Sequence, residues 1–153
     1  MDIILTTCVR QNDSLLMVQE AKAKAFGLWN FPSGKLKRNE DIFQGTIREA
    51  KEETGYDIEL TNLLSIQNII RKEPIIRIVF NAQIVSGDIS FNTKEILQVK
   101  WIPIIVLEKM SDNELRSYES FQDIINDIKT DINYPLKTIK NIIQLKKMDS
   151  IQI

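Results

Sequence analysis

The sequence contains no histidine and only one cysteine, Cys8, among its 153 residues. The absence of histidine excludes Ser-His-Asp and Cys-His catalytic mechanisms, and it excludes every metal site that uses an imidazole ligand. One cysteine cannot form an intramolecular disulfide or a multi-cysteine zinc site, so a reducing, cytoplasmic location is expected. Acid–base and metal chemistry must therefore rest on carboxylates, lysine, tyrosine or the backbone.

Strong net charge and long hydrophobic runs are also missing. The formal net charge is -1, so no global positive field would attract nucleic acid, which is an unlikely partner, or a membrane surface. No apolar run approaches the roughly 18 residues that a membrane span requires, and no leader segment is indicated at the N-terminus. The length fits one domain, over residues 1–153, with its own hydrophobic core.

Hydrophobic periodicity and turn residues predict a protein that contains both strands and helices, of class α+β. Strands are predicted over residues 3–9, 15–18, 56–60, 64–70, 74–85 and 98–102, with a loop over residues 21–29. A helix is predicted to begin after Asn39 as its N-cap and to end at Gly55. The segment 111–147 is predicted to be mostly helical, with a capping start at Ser111. Strands and helices in alternation indicate a sheet covered by helices.

The helix before Gly55 presents two different faces. Its apolar face is predicted to contain Phe43, Ile47, Ala50 and Thr54, which follow one another at steps of three or four residues. Glu49, Glu52 and Glu53 lie at positions i, i+3 and i+4, so they share another face within an arc of about 100°. One side of the helix can therefore enter the core while the other presents three carboxylates to a cleft.

Three neighbouring carboxylates raise one another's pKa unless a cation compensates their charge. Mg²⁺ or Mn²⁺ is the natural compensation, because these hard cations prefer oxygen ligands and can also bind a phosphate chain. Arg48 lies four residues before Glu52 and is predicted to orient a carboxylate rather than to contact the substrate. A solvated charged face is the alternative interpretation, since glutamate is common on helix surfaces.

The segment from Gly34 to Tyr56 resembles the Nudix box, written Gly-x5-Glu-x7-Arg-Glu-U-x-Glu-Glu-x-Gly-U with U a bulky apolar residue. All seven fixed positions match, namely Gly34, Glu40, Arg48, Glu49, Glu52, Glu53 and Gly55. Two softer positions depart from the pattern, because Ala50 is small and Tyr56 is aromatic. The completeness of the match favours a functional carboxylate helix over a solvated face.

The resemblance implies the Nudix fold, a mixed β-sheet sandwiched between α-helices, with the box over residues 34–56 forming a loop, a helix and a loop. It implies Mg²⁺- or Mn²⁺-dependent hydrolysis of a pyrophosphate bond in a nucleoside diphosphate linked to another moiety. By resemblance, Glu49, Glu52 and Glu53 would bind metal and activate water, with the general base left unassigned among them. The Arg48 position belongs to the same catalytic group.

Four further residues receive expected roles from the resemblance. Gly34 would shape the turn, a backbone carbonyl near Ser33 would reach the metal, and Gly55 would allow the helix to end. Glu95, placed by its spacing to Trp101, resembles a downstream metal-binding glutamate of some family members.

Several alternatives remain open at this stage. The substrate could be an RNA 5′ end, or the domain could be a non-catalytic nucleotide sensor, because fold alone does not dictate function. Many family members form homodimers, and the sequence does not decide the oligomeric state. Four aromatic residues are candidates to stack on a nucleobase: Phe26, Trp29, Phe31 and Phe80.

Overall fold

The structure is a computed structural model that describes residues 1–144. Its strands are β1 (Asp2–Gln11), β2 (Ser14–Glu20), β3 (Trp29–Asn30), β4 (Ser33–Lys35), β5 (Tyr56–Ile69), β6 (Ile75–Gly87) and β7 (Ile96–Pro103). The α-helices are α1 (Ile42–Thr54), α2 (Ile104–Leu107) and α3 (Tyr118–Thr130), with short 3₁₀ turns at Ala23–Ala25 and Leu136–Thr138. The strands predicted over residues 3–9 and 15–18 are present as β1 and β2, which form a hairpin.

The strands form one mixed sheet whose two halves are joined at the β1–β2 hairpin and separate beyond it. Strands β1 and β6 run parallel at its centre, and β5 and β4 pair antiparallel on either side of them. Strand β2 pairs with β1 only near the hairpin, at Arg10 with Leu15 and Gln11 with Ser14. Beyond this point β2 leaves β1 and pairs with β3 and β7. The box loop therefore lies where the two halves of the sheet separate.

Hydrophobic clusters fill both sides of the central sheet. Side chains alternate between the faces of a strand, so Leu5 and Ile78 point toward α1 whereas Cys8 and Val79 point toward α3. Helix α1 contributes the buried Ala50 to one cluster, and α3 contributes a row of buried residues, Phe121, Ile124, Ile125 and Ile128, to the other. The predicted fold class, an α+β mixed sheet between helices, is confirmed.

Helix α1 ends as predicted but begins differently. Gly55 adopts φ +85°, and its amide donates to the carbonyl of Lys51, which is the left-handed C-terminal cap that favours glycine. The prediction of Asn39 as N-cap was wrong, because the cap is Asp41, whose carboxylate accepts hydrogen bonds from the amides of Phe43 and Gln44. Asn39 instead adopts φ +61° in the preceding turn.

Other boundaries also differ from the prediction. The two strands predicted over residues 56–60 and 64–70 are one strand, Tyr56–Ile69. Shifts in register allow β5 to stay paired with β6 along its whole length. The prediction of a mostly helical segment over residues 111–147 was wrong over the described residues, where α3 covers only Tyr118–Thr130. Ser111 and Glu114 do form a capping-type hydrogen bond of 3.3 Å, but it closes an isolated turn. Residues 145–147 of that prediction lie outside the described residues.

No helix within residues 1–144 is both long and apolar enough to cross a membrane.

Candidate metal and catalytic site

The three glutamates of α1 share a face, as the helical spacing predicts, but they differ in exposure. The Glu52 side chain is 49% exposed and the Glu49 side chain 14% exposed. Glu53 is buried, with 8% of its surface exposed. The carboxylates therefore extend from solvent into the body of the protein, because the helix meets the edge of the sheet at its C-terminal turn.

Arg48 joins the box loop to the carboxylate face. Its Nε and Nη2 donate to the two carboxylate oxygens of Glu40, at 2.6 and 2.9 Å. Its Nη1 donates to Glu49 at 2.7 Å and to Glu52 at 3.3 Å. The predicted pairing with Glu52 is present, but the fork around Glu40 is the closer contact, and it holds the pKa of Glu40 down at about 2. Arg48 thus positions Glu49 and Glu52.

Glu53 has one described hydrogen bond, in which the backbone amide of Ser33 donates to its Oε1 at 2.8 Å. Burial raises the pKa of Glu53 to about 8, the Ser33 amide opposes the rise, and the charges of Glu20 and Glu49 add to it. The same combination of burial and like charge raises the pKa of Glu49, against the opposing effect of Arg48. The negative charge of these carboxylates therefore exceeds the positive charge of the groups around them.

Gly34 leaves space for a carboxylate. A Cβ atom at this position would overlap the carboxyl group of Glu49. The glycine of the box therefore permits a close approach of α1 to β4. The prediction that Gly34 shapes a turn was wrong, because Gly34 lies within β4 and pairs with Leu5 of β1.

Two further charged residues lie in the site, and the sequence analysis did not identify them. Glu20, at the end of β2, is 3% exposed and accepts a hydrogen bond from Nη1 of Arg116 at 3.0 Å. Asn30 also approaches the same Glu20 oxygen, at 3.4 Å. Glu20 could have been noticed as an acid that ends an apolar strand, but its proximity to Glu53 depends on the paths of β2 and α1 through the fold.

The remaining predicted residues have mixed outcomes. Glu95 is exposed, and its carbonyl oxygen accepts a hydrogen bond from Ala21, the neighbour of Glu20, at 2.9 Å. Phe31 and Phe80 are 1% and 0% exposed, so as packed core residues they offer no face to a nucleobase. The two other aromatic candidates, Phe26 and Trp29, are exposed and partly buried respectively.

The donor set suits a hard divalent cation. Carboxylate oxygens are the ligands that Mg²⁺ prefers, and a bound cation would offset both the burial and the neighbouring negative charges that raise the pKa of Glu53. Within residues 1–144, no three acidic side chains already stand at the spacing of a metal cluster. The Arg48 contacts to Glu49 and Glu52 account for part of the separation between the carboxylates, because they draw two of them toward the guanidinium.

Comparison with known proteins agrees with this arrangement. A sequence model described as the NUDIX domain matches residues 3–123. The mouse (Mus musculus) protein named 8-oxo-dGDP phosphatase is 34% identical over 108 residues, which cover 69% of this chain and 33% of that protein. A Caenorhabditis elegans protein named putative nudix hydrolase 1 is 29% identical over 87% of this chain and 36% of its own length. The chain spans about a third of the length of these relatives.

Solved structures share the fold. A NUDIX hydrolase from Nitrosomonas europaea superimposes with a TM-score of 0.83 at 24% identity, covering 92% of this chain and 97% of that one. A MutT protein from Methanosarcina mazei Go1 gives a TM-score of 0.72 at 23% identity, covering 85% and 94%. The fold and the carboxylate helix define a Nudix domain. The chain belongs to the Nudix hydrolase family.

Proposed function

We propose that the protein hydrolyses a pyrophosphate bond in a nucleoside diphosphate linked to another moiety, with Mg²⁺ or Mn²⁺ as cofactor. Water adds to one phosphorus, the bridging P–O bond breaks, and the products are a nucleoside monophosphate and the phosphorylated second moiety. The observation that carries the proposal is the buried Glu53 carboxylate, held by the Ser33 amide at 2.8 Å inside a complete box.

We assign the metal to oxygen atoms of Glu49, Glu52 and Glu53. When bound, the cation supplies charge neutralisation of the phosphate chain and polarisation of phosphorus. Glu53 is the carboxylate that we assign to hold or accept the proton of water, because it is buried in the site and its Oε1 is held by the Ser33 amide at 2.8 Å. Arg48 is a positioning residue, since its described contacts are with Glu40, Glu49, Glu52 and a loop carbonyl.

Oxidised nucleoside diphosphates, which have no second moiety and would release inorganic phosphate as the second product, are the first substrates to test. The similarity to the mouse protein named 8-oxo-dGDP phosphatase covers 69% of this chain and supports this choice. The fold is also shared with a structure titled UDP-X diphosphatase, at 14% identity, which supports a pyrophosphate-containing substrate only through the shared fold.

The test is a turnover screen with Mg²⁺ or Mn²⁺ on 8-oxo-dGDP, nucleoside triphosphates, nucleotide sugars, ADP-ribose and dinucleotides. Glu53→Gln should lower turnover about 10²- to 10⁴-fold, because it removes the proton-accepting carboxylate while preserving shape. Glu59→Gln is the matched control, because Glu59 lies on the exposed side of β5 with Gln83. Equal turnover in Glu53→Gln and the wild type would refute the assignment.

Two alternatives make different predictions. An RNA 5′-end hydrolase would release pyrophosphate from triphosphorylated RNA, and the net charge of -1 counts against strong RNA binding. A non-catalytic sensor would bind nucleotides without turnover, and it would not need the Arg48 and Ser33 contacts that organise the glutamates. A cytoplasmic location and a homodimer stay predictions.

A further inference from the structure

Arg77 is a buried arginine within an apolar run of β6. It lies in β6 between Ile76 and Ile78 and is 4% exposed. Its Nη1 donates to the Thr6 hydroxyl at 2.8 Å and approaches the Ser33 hydroxyl at 3.4 Å. Its Nε is buried without a hydrogen-bond partner. A buried guanidinium with an unsatisfied donor costs free energy that neutral hydroxyl partners do not offset.

The charges around Arg77 increase that cost. Within residues 1–144, no carboxylate forms an ion pair with it. Burial, together with smaller effects from the positive charges of Arg116 and Arg71, lowers the pKa of Arg77 to about 10. At neutral pH the guanidinium is still charged. The protein therefore holds an uncompensated cation, with two more arginines nearby, at a position where an apolar residue would pack.

Ser33 connects this cation to the glutamates. Alternation along β1 and β6 places Thr6 and Arg77 on the sheet face toward α3, whereas α1 covers the opposite face. Ser33 lies in the edge strand β4, opposite Thr6. Its hydroxyl contacts Thr6 at 3.0 Å, and its amide binds Glu53 at 2.8 Å. One residue thus separates the uncompensated cation from the proposed proton acceptor.

We propose that Arg77, with the hydroxyls of Thr6 and Ser33, binds a phosphoryl group of the substrate. This group adjoins the phosphorus that is attacked by the water held at Glu53. A guanidinium matches phosphate geometry, and an anion supplies the missing counter-charge. The inference rests on the proposed function and assigns to Arg77 the phosphoryl group on the far side of the bridging oxygen from the reacting phosphorus. Because Arg77 is 4% exposed, binding of this group requires the side chains that cover Arg77 to move outward.

The first test uses inorganic pyrophosphate with Mg²⁺, titrated into the protein by calorimetry. Arg77→Met should weaken binding at least 10-fold, in line with the loss of a buried charge–phosphate contact. The midpoint of unfolding of the ligand-free variant should equal or exceed that of the wild type, because an unpaired buried charge is removed. Arg10→Met is the control, since Arg10 pairs with Asp13 on the surface.

A second pair of variants removes the dependence on Arg77→Met folding. Thr6→Val deletes the hydroxyl that holds the guanidinium, and Thr7→Val makes the same change at the next residue, on the opposite face. Thr6→Val should weaken pyrophosphate binding severalfold and Thr7→Val should not. Equal binding by wild type, Arg77→Met and Thr6→Val would overturn the inference, and so would equal weakening by both threonine variants.

Turnover separates this inference from the proposed hydrolysis. Pyrophosphate binding that depends on Arg77, in a protein inactive on every substrate, supports the anion site and refutes hydrolysis. Turnover that Glu53→Gln abolishes, but whose KM and kcat are unchanged in Arg77→Met, supports hydrolysis and overturns the anion site.

Discussion

The carboxyl group of Glu49 occupies the place where a side chain on Gly34 would begin. Gly34 begins the box and Glu49 lies within its helix, so this contact fixes the distance between the start of the box and the helix. Gly34 does not adopt a positive φ. The contact requires glycine because any other residue would have a Cβ atom that overlaps the Glu49 carboxyl group.

Gly34→Ala should therefore impair activity more than stability. The overlapping atoms are the mobile end of the Glu49 side chain, which can rotate away from Arg48 and out of the site. We expect turnover to fall about 10- to 100-fold, as for loss of a contact that orients a metal ligand. Steady-state kinetics and thermal unfolding check the two effects together. A large loss of stability with unchanged turnover per folded molecule would contradict this account.

Arg48→Lys should weaken metal binding although it preserves the charge. Lysine cannot reproduce the fork that contacts both oxygens of Glu40 while a third nitrogen donates to Glu49. The Mg²⁺ concentration for half-maximal turnover should rise about 10- to 100-fold. Lys51→Arg is the control, because Lys51 binds Asp57 and the Gly55 carbonyl at the helix end. The same shift in both variants would point to a general effect on α1.

Without metal, the stability of the protein should fall as the pH rises toward 8. Burial, with Glu20 and Glu49, raises the pKa of Glu53 from 4.5 to about 8 in the folded state. Between these values the folded state binds a proton that the unfolded state has lost, so its advantage is complete below 4.5 and disappears through pH 8. The free energy of unfolding should decrease by up to about 5 kcal/mol across this window.

Urea unfolding in the presence of a chelator, at several pH values, measures this decrease. Glu53→Gln should remove most of the slope, because the amide does not titrate. A slope that persists unchanged in the variant would assign the pH dependence to other groups.

Glu95→Gln should have a small effect compared with Glu53→Gln. Glu95 is exposed, so its charge acts through solvent, where an ionic interaction contributes about 0–1 kcal/mol. That range corresponds to a change of at most about fivefold in Mg²⁺ affinity. A loss comparable to that of Glu53→Gln, measured by the Mg²⁺ dependence of turnover, would show that the loop delivers Glu95 directly to the metal.

The local parts of the site were predictable from the sequence. The spacing of Glu49, Glu52 and Glu53 fixes their shared helix face, and Gly55 ends the helix as expected. Asn39 was wrong as the cap because Asp41, two residues later, also has a capping side chain and makes the observed contacts. Propensity alone could not choose between two nearby capping residues.

The non-local parts were not predictable in the same way. Glu20 and Arg116 meet because β2 leaves β1 and carries its end toward the loop before α3, a path that no short segment encodes. Arg77 was visible as a charge within a predicted strand, but its burial follows from the parallel pairing of β6 with β1. The predicted C-terminal helix was too long because an apolar period does not tell where tertiary packing stops.

The parallel pairing of β1 with β6 also bears on the order in which the molecule can assemble. Thr6 lies beside Val79, so β1 must wait for a strand that follows the carboxylate helix in the chain. During synthesis α1 emerges before β6. At that stage β4, which contains Ser33, can pair with β1, but β1 still lacks its parallel neighbour β6. Contacts between such distant segments form late and slowly. The site should therefore mature in one of the last steps of folding, and a nascent chain should display its glutamates before it can use them.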